Sequence, residues 1–129
     1  MNLSSIDFPD YNGIGVQILL ERRRGQVEKY LLVYYGGAME NDPKKAKAAM
    51  AAWMKWFQDM GKAVVDAGNP TAPGKVVSPT GVRAVAGEPV TGYSIIQANN
   101  LDAAVALAKS SPQIAAGGKI TLYTIQPTM

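Results

Sequence analysis

Acid–base and nucleophilic chemistry near neutral pH draws first on histidine and cysteine, and this chain of 129 residues contains neither. Composition therefore excludes thiolate and imidazole catalysis, and it removes the commonest ligands of structural zinc. The acids closest to the central helical segment and its loops are Asp42, Asp59, Asp66 and Glu88. No two of them are spaced as a general acid and base must be, and Asp42 already has a capping role. Gly13-Ile14-Gly15 is a fragment of a dinucleotide fingerprint. It lacks the glycine three residues on and the helix pattern that should follow, so it reads as a turn. Neither a metal nor a cofactor is expected.

The element that must position any site is the stretch from Asp42 to Gly68, read as one amphipathic helix. Ala46, Met50, Trp53, Phe57, Met60 and Val64 recur at helical spacing on one face, with Lys55, Asp59, Lys62 and Asp66 on the other. Asp42 is the N-cap, Pro43 occupies the first helical position, and Gly68 before Asn69-Pro70 is the expected stop. Trp56 falls beside the apolar stripe, at an interface, a pocket rim or a partly buried position.

The remaining elements follow from period and punctuation. Lys29 to Tyr35 is an aromatic and β-branched run closed by Gly36-Gly37, and its near-continuous apolarity marks a central strand. Lys75 to Ser78 and Gly81 to Ala86 flank a turn at Ser78-Pro79-Thr80-Gly81 and form a hairpin. Thr91 to Ala98 is a strand with Tyr93 and Ile95 on one face and Ser94 and Ile96 on the other. Asn99-Asn100 caps a second helix carrying Leu101, Ala104, Val105 and Ala108, which Pro112 stops. Lys119 to Gln126 is the last strand, with Ile120, Leu122 and Thr124 alternating against Thr121, Tyr123 and Ile125.

This order predicts an α+β fold: a ferredoxin-like split βαβ sandwich whose antiparallel sheet carries both helices on one face. Its strands are apolar on both faces, so the uncovered face calls for a partner, most simply a second copy in a homodimer. The formal net charge is +3. Lys44, Lys45 and Lys47 sit at a helix start and the other basic residues are scattered, so the charge reads as solvated surface and not as a nucleic-acid site. No apolar run is long enough to span a bilayer, and the absence of cysteine fits a cytoplasmic protein.

In this order and spacing the chain resembles the YCII-related, or DGPF-domain, family. The resemblance runs over residues 29 to 128 or so and rests on KYLLVYYGG, on AAWMKWFQDMGKAVVDAGNP, on GEPV at 87–90, on GYSII at 92–96, on LDAAVALA and on SPQIAAGGKITLYTIQPT. It implies a dimeric α+β barrel made by stacked sheets. Family members credited with catalysis resemble one another in a His on the first long helix and an Asp before the proline ending the second. The resemblance puts Met50 and Ser111 at those positions, and neither can act as a general base at neutral pH. Of the Asp-Gly-Pro-Phe motif only the proline survives, as Pro89 in Gly87-Glu88-Pro89-Val90.

The family's pocket, carried over by the same resemblance, would be walled by Tyr35, Met50, Trp53, Tyr93 and Ser111, with Ser110, Ser111 and the tyrosine hydroxyls as polar anchors for a small planar or apolar ligand. Plain packing of Met50 and Trp53 is the competing reading. Two functions stand: a non-catalytic small-molecule-binding or accessory module, and a degenerate lyase or isomerase in which Tyr35, Tyr93 or Ser111 polarises a substrate. Residues 1–28 read as an N-terminal extension to a domain at 29–129. In one reading, Glu21-Arg22-Arg23-Arg24 is a translated ribosome-binding site ahead of a start at Val27. In the other it belongs to a real extension, flexible or paired to a sheet edge.

Overall fold

The computed structural model describes residues 27–37 and 41–127. The Val16–Leu20 run, the Gly13–Gly15 turn and the arginine stretch, on which the reading of the N-terminal extension rests, lie outside the described residues. A four-stranded antiparallel sheet has the order β2-β5-β1-β6, formed by β1 (Glu28–Tyr35), β2 (Val64–Asp66), β5 (Val90–Ala98) and β6 (Lys119–Ile125). A hairpin of β3 (Lys75–Ser78) and β4 (Gly81–Ala84) makes a separate two-stranded sheet. Helix α1 (Pro43–Met60) links β1 to β2, and α2 (Leu101–Lys109) with the short α3 (Pro112–Ala115) links β5 to β6. Two strand–helix–strand units thus interleave with their helices on one side, the ferredoxin-like α+β arrangement. Among the described residues no helix is long and apolar enough to cross a membrane.

The central strand is β1, antiparallel to β5 on one side and to β6 on the other. Its pleat sends Tyr30, Leu32 and Tyr34 into the core beneath the helices, where they meet Ile96, Ala98, Ala104, Ala108 and Trp56. Directly paired residues share a face, so Leu31, Val33 and Tyr35 point the other way together with Tyr93, Ile95, Thr121 and Tyr123. Among the described residues no helix or strand covers that second face.

The first helix is shorter than its periodicity suggests and turned differently. It ends at Met60, because Gly61 takes φ 54° and its amide closes onto the Gln58 and Phe57 carbonyls. A 3-10 turn at Gly61–Ala63 follows, and Val64 to Asp66 then pair with Ile96 and Ile95 at the edge of β5. The expected continuation to Gly68 fails for two reasons: Val64 and Val65 are β-branched and suit a strand, and the edge of β5 offers them hydrogen bonds that a helix would forgo. The half-buried residues of the helix are Ala46, Trp53, Phe57 and Met60, and its one fully buried residue is Trp56. Met50 is 65 % exposed, so it drops out of the apolar stripe. The hairpin forms as expected but stands apart from the main sheet, whose fourth position β2 takes.

Local signals position the other ends. Asp42 Oδ1 accepts from the Lys44 amide at 2.9 Å and Asn100 Oδ1 from the Ala103 amide at 2.8 Å, each satisfying a helix-start donor. After β2 the chain passes so close to β5 that a Cβ on Gly68, which has φ +77°, would run into the Tyr93 carbonyl. Two contrasts test this architecture by urea denaturation. Trp56→Ala should cost about 3 to 5 kcal/mol, whereas Lys55→Ala, which loses only an exposed pair with Asp59, should stay within about 0.5 kcal/mol of wild type. Gly68→Ala should destabilise far more than Gly61→Ala, because a Cβ at Gly61 meets nothing within 4 Å.

Candidate functional site

The six residues proposed to wall a pocket do not converge. The pleat of β1 and β5 puts Tyr35 and Tyr93 on the uncovered face, while Trp53, Ser110 and Ser111 lie on the helix side and Met50 projects from the helix. The tyrosine of β1 that reaches the helices is Tyr34, one residue earlier.

On the helix side the space between α1 and the sheet is filled by rings. Trp53 meets Tyr34 edge-on at 5.2 Å and Trp56 at 5.6 Å, and Phe57 lies 5.0 Å from Trp56. The indole Nε1 of Trp56 donates to the Leu107 carbonyl and to Ser110 Oγ, both at 3.2 Å, and Ser110 Oγ donates back to Leu107 O at 2.8 Å. Ser111 is buried, and its hydroxyl accepts from the Ile114 amide to start α3. Ser110 thus holds α1 against the end of α2 and Ser111 starts α3, and among the described residues no buried side-chain polar atom lacks a partner.

A second buried chain ties strand to strand. Tyr34 OH donates to Ser94 Oγ at 2.6 Å, and Ser94 Oγ donates to the Ala67 carbonyl at 2.6 Å. This closes the exit of β2 onto β5, beside the tight passage at Gly68. Burial pushes the Tyr34 phenol up to about 12, the hydrogen bond with Ser94 opposing only part of that rise. The group is a fixed donor and not an acid at neutral pH.

The open face carries different chemistry at the end where β1 stops. Lys119 Nζ sits 5.1 Å from the centre of the Tyr35 ring and pairs with Glu88 Oε1 at 2.5 Å. The hydrogen bond to Glu88, then its charge, raises the Lys119 pKa, so the ammonium is retained at any physiological pH. Two side chains hold the carbonyls at the end of β1. Gln113 Nε2 donates to Tyr35 O at 2.7 Å and Gly36 O at 3.1 Å, and Thr91 Oγ1 reaches Tyr34 O and Gly36 O, each at 3.2 Å. Gly118 must lack a side chain, because a Cβ there would collide with the Gln113 amide. Tyr35 is therefore presented by a rigid corner, with Tyr93 two positions along on the neighbouring strand.

Sequence reading found no role for Tyr34 or Gln113, and it put Ser94 on a strand face and Glu88 among the nearby acids without finding their partners. The alternation Tyr30, Leu32, Tyr34 carried the signal for the first, and the other three are contacts between residues far apart in sequence, with no local pattern. A shallow groove of about 550 Å³ elsewhere, at the other end of β5, is lined by Val27, Lys62, Gln97, Asn99, Ala103 and Leu107, none of them among the six. Among the described residues no three His, Cys, Asp or Glu side chains gather to hold a metal.

The phenol of Tyr34 yields a pH prediction with a definite sign. Its folded pKa lies above the ordinary value of 10.0, so folding loses stability as pH rises from about 10 to about 12, where the unfolded chain ionises and the folded one does not. Thermal melts across that window should fall steeply for wild type. Tyr34→Phe should flatten the fall by the equivalent of about 2 to 3 kcal/mol. An unchanged slope in the variant would place the alkaline loss on other groups.

No curated protein matches the chain. The family model described as the YCII-related domain matches residues 29–128, a span that runs from the second residue of β1 through β6 and holds both interleaved units. The chain belongs to the YCII-related family.

Proposed function

We propose that this chain is a non-catalytic member of its family, a homodimeric module that binds a small planar or apolar molecule at the Tyr35–Tyr93 end of its open sheet face. The observation that carries the reading is the face itself. Leu31, Val33, Ile95 and Ile125 are only half-buried there, and leaving such side chains in water forgoes roughly 25 cal/mol per Å². A second copy stacked sheet to sheet removes them from solvent and encloses Tyr35, Tyr93 and the Lys119 ammonium. Those three would give a ligand two ring faces and one fixed positive charge.

Support for a non-catalytic role comes from the positions where acting relatives carry a base. Met50 has no titratable group and is exposed, and the Ser111 hydroxyl is buried as a helix cap. The polarising tyrosine of a lyase or isomerase would have to be Tyr35 or Tyr93, and the carboxylate near Tyr35, Glu88, is engaged in its ion pair with Lys119. Lack of cysteine supports a cytoplasmic setting.

Light scattering should give twice the chain mass at micromolar concentration, with on the order of 1,500 Å² or more buried between copies. Leu31→Asp should shift that mass to the monomer while keeping the helical circular dichroism. A metabolite-library thermal-shift screen should then find a ligand whose stabilisation, about 2.7 kcal/mol at a hundredfold excess over Kd, is lost in Tyr93→Ala. A wild-type monomer would sink the dimer, and a hit insensitive to Tyr35 and Tyr93 would move the site elsewhere.

A further inference from the structure

The groove at the far end of β5 is built where the described chain begins. Val27 lines it together with Lys62 of the 3-10 turn, Ala98 at the end of β5, and Ala103, Ala106 and Leu107 of α2. The room comes from short side chains, three of those six residues being alanine. Ala98 belongs to the buried core, and Ala103 and Leu107 pack against it. An apolar occupant would therefore extend the core and not cover an isolated spot. A volume of about 550 Å³ is within the range of sites that take a molecule the size of a few side chains.

The sequence just before Val27 holds a complement to this groove. Ile14, Val16, Ile18 and Leu20 alternate with Gly15, Gln17, Leu19 and Glu21, so in an extended backbone four apolar side chains share one face. The residues from Glu21 to Gln26 separate that run from Val27. Fully extended they reach roughly 20 Å, enough to turn back at Gly25 and return to a groove that Val27 itself borders.

Covalent attachment is what favours this occupant over a free molecule. A short flexible tether holds the run at an effective concentration in the millimolar range, so a contact too weak to capture a ligand from solution is enough to fill the groove. Charge agrees with the placement. Glu21 adjoins Leu20 and carries the sign opposite to Lys62, the charged residue of the lining, while Arg22 to Arg24 fall in the tether.

We infer that the N-terminal extension is a working part of the folded chain: its Val16–Leu20 run docks in the groove at the start of β1, with Ile18 and Leu20 against Ala98, Ala103 and Leu107 and with Glu21 near Lys62. This takes the second of the two readings of residues 1–28, a real extension, and gives it a place and a partner surface. It rests on neither the homodimer nor the ligand proposed above.

Because the chain has no cysteine, a pair introduced by substitution reports the contact in the full-length protein. Under mild oxidation, Ile18→Cys/Ala106→Cys should close a disulfide within one chain at least fivefold faster than Ile18→Cys/Lys55→Cys, whose second thiol replaces an exposed side chain of α1. Peptide mapping by mass spectrometry reads both rates and separates links within a chain from links between copies. The double variant Ile18→Asp/Leu20→Asp should keep its helical circular dichroism and melt about 3 °C or more below wild type, because the groove loses its apolar occupant. Equal disulfide rates in the two pairs, a link formed only between copies, or an unchanged melt in the aspartate variant would each overturn the docking.

Discussion

The pleat of β1 is the constraint on which the rest of the molecule depends. Because β1 is bonded to β5 on one side and β6 on the other, it cannot slip or twist to re-aim a side chain without breaking two ladders. Each residue along it is committed to the helix layer or to the open face. Tyr30, Leu32 and Tyr34 build the core, and Leu31, Val33 and Tyr35 build a surface, so adjacent tyrosines serve opposite sides of the protein.

From that commitment follows a division of polar groups. On the helix side the hydroxyls and the indole N–H are each spent on a structural bond: Tyr34 to Ser94, Ser94 to Ala67, Trp56 to Ser110 and Leu107, Ser111 to Ile114. A paired layer of this kind is rigid, and among the described residues it leaves no buried side-chain polar atom without a partner. Across the sheet, Lys119 and Glu88 meet Tyr35 at the end of the strands, and Tyr93 lies on the same face opposite Val33. Gln113 and Thr91 hold that corner by gripping the carbonyls where β1 ends, which links the short α3 helix to the open face through the backbone.

The edge of the sheet carries a second constraint. A bare edge of β5 would invite pairing with another chain, and the stretch from Val64 to Thr71 covers it with β2, the Gly68 passage and the Pro70 bridge. Covering the edge uses residues that a helix could have kept. It also sets the starting point of the β3–β4 hairpin.

Sequence by itself determined the kinds of element, their order and most of their faces. Alternation with period two and recurrence with period 3.6 are properties of the local chain, as are the Asp42 and Asn100 caps and the turn at Ser78–Gly81, so they are legible without neighbours. Missing histidine and cysteine were equally legible and bounded the chemistry. Only the tertiary structure decided where α1 ends, because the β-branched Val64 and Val65 continue the helical period and only the edge of β5 supplies the partner that makes them a strand. It also decided that Trp56 and not Met50 faces the sheet, since a wide apolar stripe leaves its own phase open until a neighbour covers part of it. And it separated Tyr35 and Tyr93 from Trp53, Ser110 and Ser111. One residue of strand register moves a side chain through the sheet, and register is set by pairing between segments some sixty residues apart, as in Val33 with Tyr93, which no local pattern records.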